Sequence, residues 1–131
     1  MVDVRYLLDT NALLWWLIDS EKLSTKARQV VSKPEHALYV SAATGWKLAT
    51  KVRIGKLEEA KPLLHDLVAR LAREHIDVLP LDLPAALLAG SMVHAHRDPF
   101  DRMIAAQATT EKLAIISSDE IFDTLVGRRV W

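Results

Sequence analysis

Cysteine is absent from the 131-residue chain, which excludes disulfides, thiolate metal sites and a cysteine nucleophile. Stability must come from packing. A membrane-spanning run of about 18 apolar residues is also missing. The N-terminus carries Asp3 and Asp9 where a secretory signal would need a basic region and an apolar stretch. A soluble, cytoplasmic protein with no membrane partner is therefore expected. Charge of one sign is not in excess either: 17 basic and 17 acidic residues leave no net charge. The bulk attraction that a strongly basic nucleic-acid binder enjoys is thus lacking, and any contact with nucleic acid must be local. There is no internal repeat, no low-complexity tract, and no gathering of the five prolines into a linker. What the chain does have is apolar residues, which make up half of it. That suits one compact domain over residues 1–131 with a real core.

The pattern alternates between short apolar runs and helical periodicity. Val4 to Leu8 reads as a central strand closed by Asp9-Thr10-Asn11, and Ala12 to Ile18 as the helix that follows. Ser24 caps a helix to about Ser32. Ala37 to Val40 is a strand ending at the N-cap Ser41, and a helix runs from Ala42 to about Val52 until Gly55 stops it. Pro62 is expected to start a helix in which Leu63, Leu64, Leu67, Val68 and Leu71 share one apolar face. Ile76 to Leu79 is a strand, and Pro84 to about His94 a weaker helix interrupted by Gly90. Asp98-Pro99 has the chemistry of a cap followed by a first-turn proline, opening a helix to Glu111. Leu113 to Ser117, a short helix at Glu120 to Asp123 and an edge strand at Arg128 to Trp131 complete the chain. Strands separated by helices imply a parallel sheet with right-handed crossovers, that is, a three-layer α/β/α sandwich.

Two carboxylates stand where buried strands end, Asp9 after the first and Asp119 after Leu113 to Ser117. Asp101, in the first turn of its helix, would reach the same rim. Ligands of open parallel sheets bind at the carboxyl ends of the strands, so the three acids are expected to converge. Oxygen donors of this kind suit Mg²⁺ or Mn²⁺. With a phosphodiester substrate such a site generates a hydroxide and stabilises the developing charge. Any one of these acids is by itself more ordinary as a cap or turn former; three together point to a site.

Four segments then resemble, in order, the motifs of PIN-domain ribonucleases, and more narrowly of VapC-type toxins of type II toxin-antitoxin pairs. They are Leu7-Leu8-Asp9-Thr10-Asn11, Val40 to Ala49 with Trp46 and Lys47, His96 to Ala108 with Asp98-Pro99-Phe100-Asp101-Arg102, and Ile115-Ile116-Ser117-Ser118-Asp119. The likeness extends to Gly55-Lys56-Leu57 and Val130-Trp131. It implies a PIN-like fold and an Mg²⁺- or Mn²⁺-dependent endoribonuclease. It also implies a homodimer partnered by an antitoxin whose tail covers the acidic groove. By motif position Asp9 is the first acid, Asp101 the third and Asp119 the fourth. Asp98 is an added acid, a further candidate for the metal, for which the role of helix cap is favoured. Asn11 and Ser117 are candidates to orient the carboxylates.

The second acid is where this chain departs from the pattern. The residue after the tryptophan is glutamate in the motif and Lys47 here. A protonated lysine has no lone pair to offer a metal and repels it at close range. The ammonium can swing out, contact substrate phosphate, or neutralise the carboxylates in the metal's stead, and the last is favoured. The chain is therefore expected to be impaired as a nuclease. A non-catalytic PIN-fold module that binds an antitoxin or RNA is the alternative. Lys47, Lys51, Arg53 and Lys56 form a basic stretch suited to RNA phosphates, with Arg97 and Arg102 across from it, although a solvated helix face explains Lys51 to Lys56 as well. His94 and His96 lack the further ligands that zinc needs. No serine sits in a nucleophile-elbow pattern. A phosphoacceptor receiver would want paired acids after its first strand, whereas Thr10 and Asn11 follow Asp9. Trp15 and Trp16 cannot face the same side of a helix, so one is expected in the core and the other at a dimer or antitoxin surface.

Overall fold

The computed structural model describes residues 4–93 and 96–131. Five strands, β1 (Arg5–Leu8), β2 (Ala37–Ser41), β3 (Ile76–Leu79), β4 (Ala114–Ile116) and β5 (Arg129–Val130), form one sheet in the order β3-β2-β1-β4-β5. Every pairing is parallel. The helices are α1 (Thr10–Leu17), α2 (Thr25–Ser32), α3 (Ala42–Arg53), α4 (Lys61–Leu64), α5 (Leu67–Arg73), α6 (Leu83–Ser91), α7 (Pro99–Thr110) and α8 (Ile121–Leu125). The expected three-layer α/β/α sandwich is thus present, down to the short edge strand near the C-terminus.

Successive strand side chains point to opposite faces, and because helices cover both faces the inner strands are mostly apolar. Leu8, Val40, Leu38, Ile76 and Ile116 point to one face, where they pack with Leu13, Leu14, Leu17 and Leu48 of the α1 and α3 side. Leu7 and Ile115 point to the other and meet Ile104, Ala105 and Ala108 of α7 and Phe122 of α8. Alanines Ala85, Ala89 and Ala106 let α6 and α7 approach closely, forming a third cluster. Among the described residues no helix is long and apolar enough to cross a membrane.

Caps fix the helix starts as the sequence suggests. Ser24 Oγ accepts from Ala27 N at 3.0 Å, and Ser41 Oγ accepts from Ala43 N at 3.0 Å. Ser24→Ala is expected to cost about 1 kcal/mol, measurable as a lowered urea midpoint with an unchanged slope. Gly55 ends α3 at φ +76°, a left-handed conformation that glycine takes without a Cβ penalty.

Two expectations are corrected. The helix from Pro62 is in fact two helices, α4 and α5, because Asp66 leaves the helical region at φ −128°, ψ 28°. That break resets the helical phase: Leu63 and Leu71 are buried, but Val68 is 85% exposed. Neither Trp15 nor Trp16 is given over to a free surface. Both are half-buried against the first cluster, Trp15 beside the Trp131 ring at 5.8 Å and Trp16 donating Nε1–H to Glu74 at 3.3 Å. The exposed tryptophan is Trp46, edge-on to Phe100 at 4.9 Å.

Candidate functional site

The strand order places a switch point between β1 and β4. From β1 the chain moves outward to β2 and β3, and it returns to β4 on the other side. At such a point the crossovers diverge and leave a crevice at the carboxyl ends of the strands. Leu8 pairs with Ile116, so Asp9 and Ser117 emerge next to each other, with Asp9 N donating to Ile116 O at 3.1 Å. Asp9 Oδ1 caps α1 by accepting from Ala12 N at 2.8 Å. Its Oδ2 accepts from the Ser117 hydroxyl. Ser117 Oγ in turn accepts from Asp119 N at 2.9 Å. Asp9 is only 7% exposed. Burial pushes its carboxyl from 3.8 up to about 6; the Ser117 and Ala12 hydrogen bonds oppose this, Asp101's charge adds to it, and Lys47's opposes it.

The second half of the site comes from α3 and the entry to α7. Asp98 Oδ1 caps α7, accepting from Phe100 N at 2.9 Å and Asp101 N at 3.2 Å. Its Oδ2 accepts from Lys47 Nζ at 3.0 Å. The same ammonium donates to Asp101 Oδ1 at 3.3 Å, and Asp101 Oδ2 pairs with His96 Nε2 at 3.1 Å. Burial alone would lower the Lys47 ammonium, but the charges and hydrogen bonds of Asp101 and Asp98 outweigh it and raise it. Asp98 moves the opposite way: burial raises it, and the Lys47 hydrogen bond with the two backbone N–H groups brings it down. Both directions say that Lys47 is charged in the folded chain.

The structure therefore joins Asp9 to Ser117 and Lys47 to Asp98 and Asp101, and the charges of Asp101 and Lys47 bear on the Asp9 carboxyl. Asp119 stands at the rim of this site, exposed, with Oδ1 accepting from Ile121 N at 3.0 Å to start the last turn of helix. Asn11 does not contribute: it is exposed on α1 and hydrogen-bonds to none of the carboxylates among the described residues. Asp98 is a cap and an ion-pair partner at once, one oxygen for each. Arg102 is not available for RNA phosphates, because its guanidinium donates to the carbonyls of Ala89 (2.9 Å), Met92 (2.7 Å) and His96 (3.1 Å). His94 lies outside the described residues. Sequence reasoning missed His96 as the partner of Asp101, and the only hint was its place five residues earlier. It also missed the buried Thr10–Thr44 hydroxyl pair at 3.4 Å, for which there was no signal.

Beside this pocket an open groove of about 490 Å³ is lined by Lys47, Lys51, Lys56, Arg97, Asp98 and Phe100. It gathers cations from two distant segments of the chain, α3 with the turn after it and the stretch before α7. Arg53, the remaining member of the basic stretch, is exposed and is not among the residues lining it.

The PIN-domain family model matches residues 6–127. The chain belongs to the PIN-domain family. The members of this family are typically nucleases that generally use divalent metal ions. Among solved structures, the chain is similar to VapBC2 from Rickettsia felis bound to a DNA fragment from their promoter (14% identity, TM-score 0.65, 98% of each chain covered). It is also similar to VapBC-1 from nontypeable Haemophilus influenzae (17% identity, TM-score 0.65, 97% of each) and FitAcB from Neisseria gonorrhoeae (23% identity, TM-score 0.62, 96% of each). At these identities the likeness is one of fold. None of the curated proteins matches significantly.

This PIN domain, as it stands, does not fit a divalent ion. Among the described residues no group of three or more His, Cys, Asp or Glu is arranged to hold one. The position between Asp98 and Asp101 is taken by an ammonium whose side chain is only 13% exposed.

Proposed function

We propose that this PIN domain is the toxin component of a type II toxin–antitoxin pair, an endoribonuclease by descent whose own pocket is impaired by Lys47. The observation that carries this is the convergence of Asp9 and Asp101, from two distant segments, on a pocket whose remaining position holds a lysine. The toxin reading is supported by similar structures described as a VapBC pair bound to its promoter fragment and as a toxin–antitoxin complex from Klebsiella pneumoniae. The substrate is RNA, met in the groove by Lys51, Lys56 and Arg97. The partners are a cognate antitoxin and a second copy of the chain, in the cytoplasm, with residues 1–131 acting as one domain. Asp9, Asp101 and Asp119 are the acids of the reaction, Mg²⁺ or Mn²⁺ is the ion of the unimpaired form, and Ser117 positions Asp9.

Lys47→Glu is expected to raise Mn²⁺-dependent cleavage of RNA by about 10- to 100-fold over the chain as it is. Equal activity in the two would remove the impairment from this reading. The ion pairs of Lys47 favour one second reading, a PIN-fold module that binds antitoxin or RNA without cutting. It predicts no cleavage by either form, together with retained RNA binding.

A further inference from the structure

We propose that the Lys47 ammonium is the resident cation of the acidic pocket, held between Asp98 and Asp101 so that the domain folds and stays assembled without a divalent ion. This rests on the reading of the pocket as a former nuclease site, and it concerns what now fills that site.

The carboxylates are already engaged. Asp9 accepts from Ala12 N and Ser117 Oγ. Asp98 accepts from Phe100 N and Asp101 N on one oxygen and from Lys47 Nζ on the other. Asp101 accepts from Lys47 Nζ and pairs with His96 Nε2. Each of the six oxygens therefore has a protein hydrogen-bond partner. A divalent ion entering here must expel an ammonium whose side chain is only 13% exposed, or sit beside it against strong like-charge repulsion.

Lys47 is also well tethered for the task. It lies in the second turn of α3, a helix that packs on α7, which carries Asp101. The cation is thus supplied intramolecularly, without the entropy cost of capturing an ion from solution. A hydrated metal would bring water ligands to the substrate; an ammonium brings three N–H donors and no water. The ammonium thus offsets part of the carboxylates' charge from within the chain, and chelators should leave the pocket unchanged.

Mn²⁺ titration followed by calorimetry, with thermal melting in EDTA and in millimolar Mn²⁺, tests this on three forms: the chain as it is, Lys47→Glu and Lys47→Met. The unaltered chain should take up no stoichiometric Mn²⁺ and melt at the same temperature in both buffers. Lys47→Glu should bind about one ion per chain and melt higher in Mn²⁺ than in EDTA. Lys47→Met, which keeps the stem and removes the charge, should melt lower than the unaltered chain in EDTA and recover part of that loss in Mn²⁺. Stoichiometric uptake by the unaltered chain, abolished by Asp101→Asn, would overturn the proposal. So would a failure of both variants to bind, since Lys47 would then not be what keeps the ion out. If Lys47→Glu binds Mn²⁺ but cuts no RNA, the resident cation stands and the ribonuclease reading fails.

Discussion

Replacing Asp9 with Asn should stabilise the domain by about 1–3 kcal/mol at pH 7 and by almost nothing near pH 4. Asp9 is buried, and its carboxyl stands at about 6 against an ordinary 3.8. The folded chain therefore holds this proton in a range where the unfolded chain has released it. Between those values the native state binds more protons, so stability must fall as pH rises. Below about 3.8 both states are protonated and the group contributes nothing; above about 6 the full penalty of a buried charge is present. A difference of roughly two pKa units corresponds to about 3 kcal/mol. Asn keeps the shape and the capping oxygen for Ala12 N, and its amide offers no charge to desolvate. Urea denaturation in EDTA at the two pH values measures the effect. A variant less stable than the parent at neutral pH would show that the Ser117 and Ala12 hydrogen bonds outweigh desolvation.

Arg102→Met should cost about 3–5 kcal/mol, the larger effect of the two and opposite in sign. The guanidinium joins the end of α6 to the segment before α7 through the carbonyls of Ala89, Met92 and His96. A charged donor strengthens each of these bonds, and carbonyls left without partners near a helix end pay their own desolvation. Methionine preserves most of the stem's packing and none of the bonds. Arg102→Lys should recover only part of the loss, because one ammonium lacks the planar fork that reaches three acceptors. Equilibrium unfolding gives the numbers. A loss under about 1 kcal/mol for Met would mean that α6 and α7 are held by their alanine contacts alone.

Much of this was legible in the chain. Asp9, Ser24, Ser41 and Asp98 are good caps wherever they fall, because a short polar side chain at a helix start has a local target in the next turn. The apolar strands showed by length and by the residues that close them. The two-helix break at Asp66 was not legible, since the leucine spacing on either side suits a single helix and the departure is a matter of backbone angle. Val68 was misplaced for that reason. The half-buried Trp15 and Trp16 also ran against expectation, because a tryptophan's burial depends on which element packs over it.

The sequence by itself determined, beside a family resemblance that puts Lys47 where the second acid belongs, the alternation of strands and helices, their caps, and the presence of acids at strand ends. Those are local properties, set by residues within a turn or two of one another. Only the tertiary structure decided that Lys47 bonds to Asp98 and Asp101, 51 and 54 residues away. It also decided that Ser117 reaches Asp9 across 108 residues, and that Arg102 serves the fold rather than the groove. Such contacts depend on strand order, which places β4 beside β1, and on the packing of α3 against α7; no local pattern encodes either.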